Sequence, residues 1–211
     1  MGRRGEKVSM IIGICGLIGT GKGTVADILV EQGFVKHNFA DKLKDGVSTI
    51  FGWDRAMLEG DTDESRQWRE QKDSFWSSEL DEYITPRAVL QMFGTDCMRD
   101  GFHKDIWVSL LKQQLIANPE YNYVVPDVRF ENEIEMLRSI GGQVWEVKRN
   151  GDPEWLIEYE TTGVEPTSVH PSEWCWVKPA KDFVVHNDGT IDDLRDQVLG
   201  RLLPRDRKSV V

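Results

Sequence analysis

Residues 16–24 read GLIGTGKGT. Glycines, a lysine and a hydroxyl at this spacing can hold a polyphosphate. Gly16, Gly19 and Gly21 let the backbone wrap tightly and turn its N–H groups inward. A helix beginning behind them adds its positive end. Lys22 then reaches the terminal phosphates as a point charge. In most such loops a Ser or Thr follows the lysine and ligands magnesium. Here Gly23 follows, and Thr24 comes one place later.

A second group lies in VVPDVRFENE, residues 124–133. Asp127 at a strand end can hold a metal-bound water or orient an acceptor. Arg129 can pair bidentately with a phosphate, and Glu133 follows one helical turn later. The plainer reading is an acidic helix cap beside a solvated arginine. TPRAVLQMFGTD places Arg87 at a helix start and Thr95 and Asp96 at its end, with Trp107 further on. Taken alone, these are ordinary surface and core residues. VHPSEW, residues 169–174, offers His170, Ser172 and Glu173 in a loop. No nucleophile elbow accompanies them, so a hydrolase triad is set aside.

These groups need elements to position them. Residues 8–15 are a short, nearly continuous apolar run, as in a strand buried on both faces. Residues 22–33 have helical spacing and stop at Gly33. A strand is expected over 34–40 and a helix over 41–52, with Asp41 as its N-cap. Residues 53–85 are charged, carry scattered Trp and read as an insertion with short helices. Thr85 as N-cap and Pro86 behind it open the helix that carries Arg87. A helix over 104–117, a strand over 121–127, a helix closing at Gly141 and a strand over 143–149 follow. Residues 150–180 hold four prolines and no clear period, so a long loop is expected. A strand at 182–190 runs into an N-D-G turn, a last helix starts at Ile191, and the tail 204–211 reads as frayed. Alternating strands and helices imply a parallel sheet covered on both faces. Ligands collect at the carboxyl ends of such strands. The glycine loop, PDVR and HNDG all fall there.

The 211 residues suffice for one sizeable core, and the net charge is −10. That balance disfavours a general nucleic-acid surface, which needs many Lys and Arg. It leaves room for a local basic pocket. Cys15, Cys97 and Cys175 are scattered and odd in number. They suggest neither a zinc cluster nor a disulfide framework, and a reducing cytoplasm fits. The longest apolar run, MIIGICGLIG, is too short to span a bilayer. Read as a signal peptide it would lose the glycine loop on cleavage.

The loop GxGKGT resembles that of adenylate kinase and other nucleoside monophosphate kinases, where Gly also follows the lysine. Further stretches occur in order: FADKLK (39–44), LQMFGTD (90–96) followed by Trp107, VPDVRFENE (125–133), VKRNG (147–151), HPSE (170–173) and NDGT (187–190). Together they resemble the phage-type deoxynucleoside monophosphate kinases, over most of the chain except 53–85 and the tail. The resemblance implies an α/β P-loop kinase fold, with a central parallel sheet and helices on both faces. It implies one domain over 1–211, with an acceptor-binding insertion at 53–85 and a lid at 149–180. The reaction implied is dNMP + ATP to dNDP + ADP, with Mg2+. The family's ATP site carries onto Gly19, Gly21, Lys22, Gly23 and Thr24, with Asn187 near the ATP base and Thr24 reaching the metal through water. Its dNMP site carries onto Lys44, Arg87, Gly94, Thr95, Trp107, Asp127, Arg129 and Glu133. Lys22, Arg87, Asp127, Arg129 and Arg149 would carry catalysis, Arg149 by closing with the lid. The partners implied are ATP and a dNMP in the cytoplasm, that of a host if the gene is a phage's. A homodimer is left open. The competing readings are a P-loop kinase for dephospho-coenzyme A or a modified DNA base, and a non-enzymatic nucleotide switch. Arginines at several element ends favour an enzyme, because a switch needs no second phosphate clamp.

Overall fold

The computed structural model describes residues 9–202. The expected frayed tail lies outside them. The chain forms two compact units. The first takes the two ends of the chain, up to Asn38 and from Lys112 onward. The second is Phe39–Leu111.

The first unit is built on five strands: β1 (Ile11–Cys15), β2 (Phe34–Lys36), β3 (Asn122–Val125), β4 (Gln143–Lys148) and β5 (Phe183–His186). Their order is β2-β3-β1-β4-β5, and every pairing is parallel. All five residues of β1 are buried, as a continuous apolar run in the middle of a parallel sheet requires. Strand side chains alternate between the two faces. On one face Ile12 and Ile14 join Val124, Trp145, Val147 and Val185. They pack against Val25, Ile28 and Leu29 of α1 (Lys22–Glu31) and against Leu194 and Val198 of the C-terminal helix Ile191–Leu202. On the other face lies the helix Glu131–Ser139. A Cβ on Gly13 would sit 2.4 Å from Leu137 Cδ1, so the glycine lets this helix approach the sheet. Helices therefore cover both faces, as expected.

The second unit contains α2 (Asp41–Phe51), α3 (Asp63–Glu70), α4 (Ser74–Leu80), α5 (Pro86–Met92) and the start of α6 (Ile106–Ala117). The Glu131–Ser139 helix is then α7. Residues 53–85 do hold short helices, α3 and α4. Trp53, Trp68 and Ile84 from that stretch pack against Val47, Leu58, Val89 and Leu90, so they share one core with α2 and α5. Thr85 caps α5 as expected, its side chain accepting from the Ala88 N–H, with Pro86 in the first turn.

Four local expectations are corrected. β2 ends at Lys36, and the next four residues are irregular. The N-cap of α2 is Ala40, with Asp41 as the first helical residue, where its carboxylate still meets the positive helix end. The helix through Arg87 does not stop at Asp96. It continues as a π-helical stretch, Phe93–Asp100. Residues 150–180 are not all loop, since α8 (Glu154–Thr162) lies within them, with Pro153 as N-cap and Gly163 closing it at φ 72°. Leu156 and Tyr159, three residues apart, are the side it buries. A short 3-10 turn, Pro171–Glu173, follows, and the C-terminal helix is α9.

Candidate active site

β1 has β3 on one side and β4 on the other. The loop after β1 therefore lies where the sheet's connections diverge, the usual crevice for a ligand. The loops after β1, β3, β4 and β5 leave the same end of the sheet because all four strands are parallel.

The glycine loop is held by its own backbone and by Asn187. Thr20 is buried, and its hydroxyl donates to Leu17 O at 2.9 Å. Gly21 caps α1 in the left-handed region, at φ 97°. A Cβ there would meet Asn187 Nδ2 at 2.3 Å. That amide instead donates to Thr20 O at 2.8 Å, tying the loop after β5 to the glycine loop. The resemblance put Asn187 near the ATP base; its contact with the loop backbone was not legible in sequence. Gly16, at φ 140°, lies so close to Val147 O that a Cβ would sit 2.5 Å from it. Gly19 is exposed at φ 80° with open space where a Cβ would go, and Gly23 and Thr24 are exposed at the start of α1.

Lys22 is the first residue of α1. Its Nζ donates to Gly16 O and Leu17 O, both at 2.8 Å. Burial lowers its pKa below the usual lysine value. The nearby Arg129 adds to that lowering, and Glu173 opposes it. The charges of the loops after β1 and β3 and of the 171–173 turn thus act on one another.

Asp127 and Arg129 leave the end of β3, and Asp127 is half-buried. Glu133 is buried, and its Oε2 accepts from the backbone N–H of Arg129 at 2.7 Å and of Phe130 at 3.0 Å. It fixes the backbone from which Arg129 projects. Arg129 Nη1 donates to Glu173 Oε1 at 2.9 Å and approaches Ser172 Oγ at 3.4 Å. Glu173 and Ser172 come from HPSE, one of the stretches that carried the resemblance, read in sequence as polar residues of a lid. No spacing rule pointed to their partner 43 and 44 residues away.

At the end of β4, Lys148 Nζ pairs with Asp152 Oδ2 at 2.7 Å and lies 3.6 Å from Glu146 Oε1. Burial raises the Glu146 pKa, against the lowering effect of Lys148 and Lys181. Arg149 is exposed. The next residue, Asn150, stands at φ 60° and donates its N–H to Asp188 Oδ1 at 2.7 Å. The loops after β4 and β5 are tied there as well.

Lys44, Arg87, Gly94, Thr95 and Trp107 belong to the second unit. Lys44 pairs with Glu59, which also pairs with Arg55. Arg87 is half-exposed and lies 3.3 Å from Glu70 Oε1. Gly94 and Thr95 are in the π-helical stretch, Thr95 exposed and Gly94 buried so close to Leu43 that a Cβ would meet it at 2.9 Å. Trp107 is buried, and its indole N–H donates to Gly94 O at 3.0 Å. It therefore braces the Gly94 backbone.

The first unit thus gathers, at one end of a parallel sheet, a phosphate-type loop with its lysine and a second cation on the next strand. That arrangement can bind the phosphates of a donor and polarise a transferring group. Among the described residues no group of three or more His, Cys, Asp or Glu could hold a metal by itself. No helix among them is long and apolar enough to cross a membrane.

Comparison with known proteins agrees. A protein of Acanthamoeba polyphaga mimivirus named as a deoxynucleotide monophosphate kinase is 29% identical over 204 residues, 90% of this chain and 94% of its own. The deoxynucleotide monophosphate kinase of Enterobacteria phage T4 is 25% identical over 126 residues, 58% of this chain and 47% of its own. The deoxynucleoside-5'-monophosphate kinase of Escherichia phage T5 is 40% identical over 57 residues, 27% of this chain and 23% of its own. The family model for deoxynucleotide monophosphate kinase matches residues 56–198, more than half of the chain. With its glycine loop, Lys22 and Arg129 at one end of a parallel sheet, the chain belongs to the deoxynucleotide monophosphate kinase family.

Proposed function

We propose that the chain transfers the γ-phosphoryl group of ATP to a deoxynucleoside monophosphate, giving dNDP and ADP. The observation that carries this reading is that Lys22, at the start of α1 behind the β1 loop, and Arg129, in the loop after the adjacent β3, act on one another at one end of the sheet. One cation suits a donor polyphosphate. A second on the neighbouring strand suits an acceptor phosphate.

The acceptor phosphate oxygen is already a nucleophile at neutral pH, so no covalent enzyme intermediate is needed. Catalysis then rests on in-line placement, charge neutralisation and exclusion of water. In this reading Lys22 leaves the Gly16 and Leu17 carbonyls for the donor phosphates. The N–H groups of 19–24 surround them. Arg129 clamps the acceptor phosphate, with Asp127 beside it to orient the attacking oxygen. The family resemblance alone assigns Lys44, Arg87, Gly94, Thr95 and Trp107 of the second unit to the acceptor. Arg149 stands at the start of the lid and approaches the transferring group on closure.

The oxygen donors available suit magnesium, which keeps several waters and is usually held by one or two protein oxygens together with substrate phosphates. Thr24 and Asp127 would hold it, Thr24 through water. When bound, magnesium would supply neutralisation of the phosphate charge.

A coupled ADP-release assay over a panel of dNMPs, NMPs and dephospho-coenzyme A with ATP tests the reading. At least one dNMP should support ADP release well above the rate with ATP alone. Turnover with NMPs or dephospho-coenzyme A but no dNMP would overturn it in favour of another acceptor.

A further inference from the structure

Arg129 projects from an irregular stretch between β3 and α7. Glu133 fixes its backbone N–H, which leaves the long side chain to be placed by other means. Its side chain is 44% exposed, and a free arginine there would sample many rotamers and lose that freedom on binding. Two side chains meet it instead, Glu173 and Ser172, both at Nη1.

Those two residues sit on a built turn. His170 Nδ1 accepts from the Ser172 N–H at 3.2 Å and lies 2.9 Å from Ser172 Oγ. Behind them Trp174 is buried, donates its indole N–H to Val169 O at 3.2 Å, and packs edge-on against Tyr159 of α8 at 5.3 Å. The carboxylate of Glu173 therefore comes off an anchored segment. Contact through Nη1 alone leaves the rest of a five-donor fork for a bidentate phosphate. Glu173 also offsets the mutual repulsion of Lys22 and Arg129.

We propose that Glu173 is a positioning residue that aims the Arg129 guanidinium at the acceptor phosphate. This rests on the proposed acceptor role of Arg129. It adds a member of the HPSE turn, 44 residues downstream, to the acceptor side of the site.

A double-mutant cycle tests it, with Glu173→Gln, Arg129→Lys and the double variant assayed for KM and kcat toward the best dNMP and toward ATP. Thermal unfolding of each variant confirms that it folds. Glu173→Gln should raise the dNMP KM about fivefold, on the scale of a partly exposed charge pair, and leave the ATP KM within about twofold. In the Arg129→Lys background the same change should add less than about twofold, because the planar fork it aims is gone. Glu173→Asp should restore part of the lost affinity, since it keeps the charge. An equal effect in both backgrounds, an unchanged KM, or a lower dNMP KM in Glu173→Gln would each overturn the inference. The last would mark a carboxylate that blocks the site. If Arg129→Lys itself leaves dNMP use at the wild-type level, the acceptor reading of Arg129 falls first and takes this inference with it.

Discussion

At Lys22 the ammonium is held by two loop carbonyls, Gly16 O and Leu17 O, and burial depresses its pKa. Lys22→Ala should lower kcat/KM by about 10²–10³, the scale of losing one preorganised donor to a developing charge. The cost in folding should be only about 1–2 kcal/mol, from the two lost hydrogen bonds. Steady-state kinetics alongside urea unfolding separate the two effects; near-wild-type turnover would remove the loop from catalysis. Gly21 makes a different demand. At φ 97° and with Asn187 Nδ2 in the space of a Cβ, Gly21→Ala should destabilise by about 1–3 kcal/mol and impair ATP use. Adding Asn187→Ala should relieve the clash and leave the backbone strain, so recovery in urea unfolding should be partial. Cys15 is fully buried, and burial pushes its thiol pKa up to about 12 from 9.0. The folded chain holds this proton where the unfolded chain releases it. Stability contributed by Cys15 is therefore complete below about pH 9 and declines as pH rises from there towards about 12. In native protein at pH 8 a thiol reagent should modify the exposed Cys97 and spare Cys15, which mass spectrometry of the labelled peptides would read. Rapid labelling of Cys15 would contradict its burial.

Among the elements, the stretch 149–180 is the proposed lid. α8 buries Leu156 and Tyr159, and Trp174 and Trp176 are buried after it. Such a segment has too much packed apolar surface to be mobile throughout. We therefore expect any lid motion to concentrate at Arg149 and at 163–168, with α8 and the anchored 169–174 turn each moving as a packed unit. Hydrogen exchange should show α8 protected without ligand. A two-substrate analogue joining adenosine to a deoxynucleoside through phosphates should newly protect 163–168, whereas an ATP analogue alone should protect mainly 16–24. Equal protection of 163–168 in the empty protein would make it a fixed structural segment and would remove Arg149 from closure.

For the whole molecule, the net charge of −10 sets a constraint on binding two polyanions. In the proposed reaction the attraction comes from local cations, with Lys22 and Arg129 as the candidates in the first unit. Binding to the folded state alone should appear as stabilisation, about 2.7 kcal/mol when ATP stands at 100 times its Kd. Arg129→Lys should keep that ATP-induced rise in Tm and weaken dNMP use by about 1–3 kcal/mol in kcat/KM, because charge is retained and the planar fork is lost. An equal loss of the ATP-induced shift would place Arg129 on the donor side.

The sequence by itself determined the glycine loop, the parallel sheet with helices on both faces, the Thr85 cap and the kinase family. The first three follow from short-range pattern: glycines at fixed offsets, apolar strands alternating with helical runs, a hydroxyl before proline; the family followed from the resemblance of an ordered set of motifs to known kinases. α8 was hidden although Pro153 and Gly163 bracket it, because surrounding prolines masked a short helix with only Leu156 and Tyr159 deeply buried. The π-helical path through Gly94 and Thr95 was hidden too, since it depends on Leu43 packing against Gly94 and on Trp107 donating to the Gly94 carbonyl. Only tertiary structure decided that Asn187 locks Thr20 and that Glu173 meets Arg129, pairings separated by 167 and 44 residues. Local propensity carries no term for such contacts. Strand order and loop packing bring them together.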